Sequence, residues 1–303
     1  MNIYIQEYSG EIAALATALL WTITALAFES ASVKVGSLPV NIIRLIIGFV
    51  FLSIFNFFYR HQILPFDANL HNWNWLIISG LIGFVFGDLF LFRSYTIIGS
   101  RFAMLIMTLV PPITAFLGWI FLNEKLSEFN LIGMILTLTG ISVAVINKKK
   151  GDTKISFKLS PKGMLYAFAG ALGQAAGLVA SKYGMEEYDP FAATQIRIIA
   201  GIVGFSVIII LKQRKNDVIK AIFHIKAMKS IIIGSFFGLF MGVSLSQFSI
   251  QHTETGIAST IMSLVPILII PPAVILYKQK VTFSEIAGAI ISILGVSLFF
   301  IKL

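Results

Sequence analysis

One acidic side chain falls well inside an apolar stretch of the sequence. Asp88 lies in the third apolar run, and Arg93 and Tyr95 follow it. An ionisable group in such a place usually faces a charged partner or a water-filled cavity. Asp88 is therefore a candidate site for a cation or a coupling proton. The alternative is a salt bridge with an arginine near the end of its helix.

Two other apolar runs carry matching polar faces. Met104 and Thr108 share one helical face in the first half of the chain, and Ser259 and Ser263 share the equivalent face in the second half. A proline follows each face and leaves the carbonyl four residues earlier without its helical hydrogen bond. The faces predict the lining of a polar cavity. The alternative is that small hydroxyl side chains pack helices together.

Two amides and one tryptophan complete the candidates. Gln174 and Gln247 interrupt apolar runs, and each amide can donate and accept hydrogen bonds. Their counterparts in the other half of the chain are Trp21 and Phe92. A cavity between the halves would therefore be aromatic on one wall and polar on the other. We expect Trp21, Gln174 and Gln247 to contact a solute, with packing between helices as the alternative.

Arg44 and Arg197 lie at matching places near the starts of the second and seventh apolar runs. Long basic side chains near helix ends commonly extend to the lipid headgroups, and this explains both arginines adequately. Anion binding is the alternative interpretation.

No arrangement of reactive residues predicts an enzyme. The sequence has no cysteine, which excludes disulfides, thiolate metal ligands and cysteine nucleophiles. The four histidines lie in or beside predicted loops and form no zinc-binding motif. An intramembrane aspartyl protease needs a Tyr-Asp pair before a Gly-x-Gly-Asp element, whereas Tyr188 and Asp189 come after Asp88. We therefore expect no catalytic residue, no metal and no cofactor.

The elements that position these residues are membrane-spanning helices. Apolar residues make up 57% of the 303 positions and charged residues only 12%, about half the charge of an ordinary soluble domain. The apolar runs are close to the length of about 20 residues that a helix needs to cross a bilayer. We place ten spans near residues 10–28, 39–59, 74–96, 100–122, 129–146, 162–182, 190–211, 229–250, 256–276 and 283–301.

The net charge of +9 comes from basic residues clustered in short loops. Such clusters are typical of orientation signals and lipid headgroup contacts, so we expect no nucleic-acid partner. With both termini outside, the predicted cytoplasmic loops hold seventeen lysines and arginines and the opposite side holds four. Because cytoplasmic loops are usually the basic ones, the count favours termini outside.

The chain is an internal duplication. Shifting the second half back by 155 positions aligns Gly83, Gly87, Pro111, Lys125 and Gly140 with Gly238, Gly242, Pro266, Lys280 and Gly295. Near the start of each half the shift is 153. We therefore predict a first repeat over residues 1–147, a basic linker over 148–160 and a second repeat over 161–303.

Five spans in each repeat is an odd number, so the second repeat must enter the membrane inverted. Two inverted repeats around a site near the bilayer midplane are a design used by secondary transporters. The sequence thus favours an all-α integral membrane protein that moves a small solute by alternating access. A lipid-scrambling or receptor-like membrane protein is the alternative.

The stretch from Phe92 to Ile146 resembles the EamA repeat of the drug/metabolite transporter superfamily, and a weaker copy runs from Gln247 to Ile301. The span with a central proline, the Glu-Lys-Leu loop at 124–126 and the glycine-containing last span occur in order, although Gln279 replaces Glu124 in the second copy. The resemblance implies a cavity formed by spans 1, 3, 4, 6, 8 and 9. It also implies export of amino acids or related metabolites, and a place in the bacterial inner membrane. Family members often have cytoplasmic termini, which conflicts with the charge count, and we give the charge count more weight.

Overall fold

A computed structural model describes residues 6–146, 160–272 and 281–300. These residues form helices joined by short turns and contain no strand. Ten helices are long and apolar enough to cross a membrane, and we number them α1 to α10. Their bounds are Ser9–Val35, Ser37–Arg60, Leu70–Ser94, Ala103–Leu122, Glu128–Val145, Pro161–Met185, Pro190–Leu211, Ile225–His252, Thr255–Pro272 and Phe283–Phe300. The predicted all-α membrane fold of ten spans in two inverted repeats is confirmed.

Polar side chains are buried in the bundle beside an apolar core, while large apolar side chains cover its outer surface. Arg44, Asp88 and Gln247 are buried, while Leu165 and Ile210 are exposed. An apolar outer surface over buried charged groups fits a molecule whose surface meets lipid. The rings of Tyr8 and Phe300 are 5.5 Å apart, so α1 begins and α10 ends on the same side of the bundle. We call this the termini side and the opposite one the linker side.

The two repeats pack against each other through all ten spans. Span α5 contacts α10, α2 contacts α7 and α4 contacts α9, so equivalent helices meet across the repeat boundary. Two further pairs are crossed: α1 packs on α8, which is the counterpart of α3, and α3 packs on α6, which is the counterpart of α1. Each repeat thus contributes half of every such helix pair.

Four spans are interrupted at symmetric positions. Span α3 widens into a π-helical segment at Leu81–Gly87, and α8 does the same at Ser235–Val243. In α4 the helix stops at Met107 and restarts at Val110, and in α9 it stops at Met262 and restarts at Val265. These breaks immediately precede Pro111 and Pro266, whose rings cannot continue the helical hydrogen bonds.

Glycines bring α3 and α6 into direct backbone contact. A Cβ atom on Gly173 would lie 2.7 Å from the Cα atom of Gly87, and one on Gly177 would lie 2.8 Å from the Cα atom of Gly83. No side chain fits at such a distance, so these positions require glycine. The close approach sets Gln174, the neighbour of Gly173, against the π-helical segment of α3.

The predicted loop between the third and fourth spans is helical in the structure. A helix runs from Asp88 to Met107 without a break. Gly99 is the main helix-weakening residue there, and its cost of about 1 kcal/mol is too small to stop a helix. In the second repeat the equivalent turn forms because Thr253 and Glu254 take extended backbone conformations.

Candidate functional site

The buried carboxylate of Asp88 forms an ion pair with Arg44. Span α2 supplies Arg44 and α3 supplies Asp88, and the two side chains are only 7% and 8% exposed. The Nε atom of Arg44 also donates a hydrogen bond to Oδ1 of Asn41, one helical turn away, at 3.0 Å. Asp88 therefore has an arginine partner, as one interpretation of the sequence expected. That partner comes from another helix and lies 44 positions earlier in the chain.

Two aromatic rings enclose the Arg44 guanidinium. Its Cζ atom lies 5.4 Å from the centre of the Phe28 ring and 5.2 Å from that of Phe92. A cation over an aromatic face is attracted by the electron density of the ring, more strongly where water is excluded. Arg44 is thus fully accommodated within the protein by a carboxylate, an amide and two rings.

Gln174 holds the second oxygen of Asp88. Its Nε2 atom donates to Oδ1 of Asp88 at 2.7 Å and to the carbonyl of Gly83 at 3.3 Å. This contact depends on the close packing of α3 and α6, since Gly173 and Gly87 leave no side chains between the helices. Two of the sequence candidates, Asp88 and Gln174, are therefore brought together directly.

Arg197 lies beside the other end of the same π-helical segment. Its Cζ atom is 4.8 Å from the centre of the Phe84 ring, and its Nη2 atom lies 3.3 Å from where a Cβ on Gly83 would be. Arg197 is only 4% exposed, and its Nε atom has no hydrogen-bond partner among the described residues. Arg44, Asp88, Gln174, Gly83 and Arg197 thus form one continuous series of neighbours, which we call the charged row.

The sequence analysis did not place the two arginines in a buried site. Each lies seven residues after the start of its helix, Ser37 or Pro190, which is about 10 Å of helix. Because α2 and α7 begin on opposite sides of the membrane, the two guanidinium groups start at equal depths from opposite surfaces. That depth, and the exact match between repeats, is the signal that points away from the lipid headgroups.

The remaining polar candidates are placed as follows. Gln247 is fully buried and accepts a hydrogen bond from the Ser181 hydroxyl through Oε1, while its Nε2 atom has no partner in the described part of the chain. Trp21 is half-buried and packs on Gly242, where a Cβ would meet its Nε1 atom at 2.7 Å. The indole therefore lies against the π-helical segment of α8.

The candidate hydroxyls on α4 and α9 donate their hydrogen bonds to backbone carbonyls of their own helices. The hydroxyl of Thr108 donates to the Leu105 carbonyl, that of Ser259 to the Gly256 carbonyl and that of Ser263 to the Thr260 carbonyl, at 2.6, 3.1 and 2.7 Å. Their oxygen lone pairs remain available as acceptors. Met104 is half-buried on the same face as Thr108.

A polar network ties the two repeats together on the termini side. Glu124, after the end of α4, accepts from the backbone N–H of Thr255 at 2.9 Å and from its hydroxyl at 2.6 Å. The same carboxylate pairs with Lys182 of α6 at 2.7 Å. Lys182 also donates to the Thr253 carbonyl, and the Thr253 hydroxyl donates to Glu11 of α1. We call these five residues the termini-side network.

Ten spans, two inverted repeats and a buried polar centre are typical of membrane transporters of small solutes. The chain belongs to the EamA-like transporter family, whose sequence pattern matches residues 8–146 and 161–301. It is similar to the uncharacterized membrane protein YMR253C of Saccharomyces cerevisiae, at 26% identity over 114 residues. That match covers 37% of this chain and 27% of the yeast protein, so the chain spans about a quarter of that relative's length.

The fold also matches a known crystal structure of a protein. The TM-score is 0.76 at 15% sequence identity, and the match covers 97% of this chain and 96% of the other. Identity this low establishes the common fold alone. The family and the fold together confirm the resemblance seen in the two EamA-like stretches of the sequence.

Proposed function

We propose that this protein is a secondary transporter that moves a small metabolite by alternating access. The observation that carries the proposal is the symmetric interruption of α3, α4, α8 and α9 at the interface of the inverted repeats. Interrupted helices near the midplane of inverted repeats are typical of transporter substrate sites, and π-helical segments are frequent at functional sites. An amino acid or a related compound is the proposed cargo, and export is the proposed direction.

The crossed packing of the repeats supports alternating access. The pairs α1–α8 and α3–α6 are equivalent by the repeat, so the two can exchange conformations and open the centre to opposite sides. The termini-side network holds one end of α1, α4, α6, α8 and α9 together. In the proposed cycle this network breaks when the centre opens to the termini side.

We propose that eight residues line the solute cavity: Trp21, Asp88, Met104, Thr108, Gln174, Gln247, Ser259 and Ser263. The oxygen lone pairs and amides would orient the solute, and Trp21 would supply an apolar wall. Asp88 is the candidate for a cation or proton site, since its charge can change during the cycle. Its contacts with Arg44 and Gln174 support a central position.

The proposed setting is the bacterial inner membrane with both termini outside. The loops predicted from the sequence hold seventeen lysines and arginines on the side opposite the termini and four on the termini side, which supports this orientation. The proposed partners are a small solute, the lipid bilayer and protons, without nucleic acid. We propose no enzymatic activity and no cofactor.

Lipid movement is the second candidate function. One observation favours it, an apolar crevice of about 300 Å³ at the termini-side ends of α1, α7 and α8. Its lining consists of Ser9, Ile12, Ala13, Ala16, Phe191, Leu245 and Phe248. A lipid acyl chain could enter such a crevice from the membrane.

Reconstitution in liposomes tests both candidates. Uptake and efflux of amino acids, sugars, nucleosides and organic cations are measured with and without a pH gradient, beside flipping of a fluorescent lipid. Movement of one solute class supports the transporter, and lipid flipping without solute movement replaces it. Ala16→Trp fills the crevice, whereas Leu19→Trp faces lipid on the same helix and serves as the control. A lipid scramblase would be slowed by the first variant alone.

A further inference from the structure

The two arginines of the charged row have different surroundings although they occupy equivalent positions. Around Arg44 the first repeat places Asn41, Asp88, Phe28 and Phe92. The equivalent positions in the second repeat hold Thr194, Val243, Ser181 and Gln247. The carboxylate is therefore replaced by an apolar side chain, and the two enclosing rings by a hydroxyl and an amide.

Each of these replacements leaves Arg197 without an internal partner. Thr194 directs its hydroxyl to the Pro190 carbonyl, and Ser181 directs its hydroxyl to Gln247. In the part of the chain that the structure describes, Arg197 forms no ion pair, and the Phe84 ring lies under its guanidinium group. The Asp88 carboxylate attracts Arg197 electrostatically, but its ion pair is with Arg44 and it accepts a hydrogen bond from Gln174.

Buried donors in this region lack acceptors, among them one on α7 and one on α8. The Nε atom of Arg197 and the Nε2 atom of Gln247 are both without a hydrogen-bond partner among the described residues, and both side chains are at least nine-tenths buried. The last segment of α8, which carries Gln247, packs on α7, which carries Arg197. Buried polar groups are normally satisfied, and unsatisfied donors in one region call for an acceptor.

The charge of the row points the same way. Two guanidinium groups and one carboxylate leave one positive charge in excess in the interior of a membrane protein. An unpaired charge there is costly, and a ligand of opposite charge removes the cost. A carboxylate fits best, because it carries a single negative charge and its two oxygens match the planar fork of an arginine.

We propose that Arg197 and Gln247 bind the carboxylate of the transported solute, so that the substrates are small organic carboxylates. The proposal rests on the proposed transport function and specifies its substrate class. Val243 is then the residue that leaves Arg197 without a carboxylate from the protein itself. In the first repeat the equivalent Asp88 is a built-in carboxylate that occupies the corresponding place beside Arg44.

The test uses the full chain in phosphatidylcholine liposomes and a panel of carboxylates, including amino acids, each paired with its neutral amide. We expect transport of at least one carboxylate in preference to its amide. Arg197→Gln should weaken the apparent affinity for that carboxylate about 30-fold or more, the effect of removing one partner of a buried charge pair. Arg197→Lys should restore part of it, because the charge returns without the fork.

Val243→Asp provides a second, independent variant. It places a carboxylate where the repeat positions Asp88, so it should compete with the solute, abolish carboxylate transport and keep or raise the unfolding temperature. Val243→Asn has the shape of the aspartate variant without its charge, so it should impair transport less than Val243→Asp does. Because Val243→Asp adds a partner for a buried charge, loss of transport with an intact fold separates competition from misfolding.

Three results would overturn the inference. The first is that the protein transports carboxylates and their amides equally well, or transports cations, and that Arg197→Gln does not change this transport. The transport function would then stand without the carboxylate site. The second is unchanged carboxylate transport in Val243→Asp. The third is that phosphatidylglycerol vesicles, without any solute, protect the wild type against thermal unfolding but do not protect Arg197→Gln. That result would assign the site to a lipid phosphate. Transport of no solute at all would instead defeat the proposed function.

Discussion

Arg44 and Arg197 occupy the same position in the two repeats, seven residues into α2 and α7, yet only Arg44 holds a carboxylate. A duplicated chain begins with identical halves, so this difference has arisen by substitution at Asp88 and its counterpart Val243. The backbone has kept its symmetry, including the paired π-helical segments of α3 and α8. At the centre the asymmetry is thus chemical, and a transported solute needs one binding site there and not two.

Replacing Asp88 with asparagine should destabilise the protein. The substitution leaves Arg44 buried without a counter-ion, and removing one partner of a buried pair costs about 3–5 kcal/mol. We expect thermal unfolding in detergent to show a loss of that size. Asp88→Asn combined with Arg44→Gln removes both charges and should recover part of it. Asp217→Asn breaks the exposed pair with Arg214 and should cost less than about 1 kcal/mol, so equal losses in the two single variants would contradict the prediction.

The same substitution tests the coupling role of Asp88. It is the carboxylate of the charged row, so its protonation is the change through which a pH gradient could act there. We expect the folded fraction of Asp88→Asn, isolated by size exclusion and reconstituted, to lose dependence on the pH gradient. The matched control is again Asp217→Asn, outside the spans. Full gradient-driven transport by Asp88→Asn would end the coupling proposal.

Much of the fold follows from the sequence, and much of the centre does not. Ten apolar runs predict ten spans, and matched residues such as Gly87 and Gly242 reveal the repeat without any contact information. The partner of Asp88 could not be found in this way. Arg93 is close to it in sequence, but Arg44 reaches it from another helix because α2 packs beside α3. Which arginine pairs with Asp88 depends on how the helices pack, and hydropathy carries no information about that packing.

The π-helical segments could not be predicted from the sequence either. Glycines at 83, 87, 238 and 242 suggest close helix packing, and the structure has such packing at each of them. Each widened segment lies where a partner helix approaches closely, at Gly173 of α6 and at Trp21 of α1. Gln174 illustrates the consequence, since its contact with the Gly83 carbonyl lies within that segment. Local composition alone does not distinguish this from an ordinary glycine-rich helix.

Replacing Gly173 with alanine should push the backbones of α3 and α6 apart and so disturb the charged row. The new methyl group would lie 2.7 Å from the Cα atom of Gly87 and 2.9 Å from its nitrogen, where no side chain can move aside. Overpacking of this kind typically costs about 1–3 kcal/mol, and it should also separate Gln174 from Asp88. We expect lower unfolding temperature and lower transport. Leu172→Ala, on the outer face of the same helix, should change neither by much. Wild-type transport by Gly173→Ala would show that the contact is not needed.

Glu124→Gln should loosen the termini-side network. The amide oxygen can still accept from Thr255, but the ion pair with Lys182 is lost, and a partly buried pair of this kind is worth about 1 kcal/mol. Opening towards the termini side should therefore become roughly five-fold more frequent. A cysteine replacing the buried Thr114 reports it by its rate of labelling with an impermeant maleimide. The control is Arg214→Gln on the linker side, and equal labelling in the two backgrounds would refute the role of the pair.

A disulfide between α4 and α9 should hold the termini side closed and stop transport. A Cβ on Gly256 would lie 2.9 Å from the Cβ of Ala115. Cysteines at both positions therefore need to move apart by about 0.6 to 0.9 Å to reach the usual Cβ–Cβ distance of a disulfide. The chain has no cysteine of its own, which makes the crosslink unambiguous. We expect oxidised Ala115→Cys/Gly256→Cys to fold and bind solute but not to transport it, and reduction to restore transport. Each single variant controls for the substitution itself. Undiminished transport by the fully crosslinked protein would mean that these helices do not separate during the cycle, which is incompatible with alternating access through the termini side.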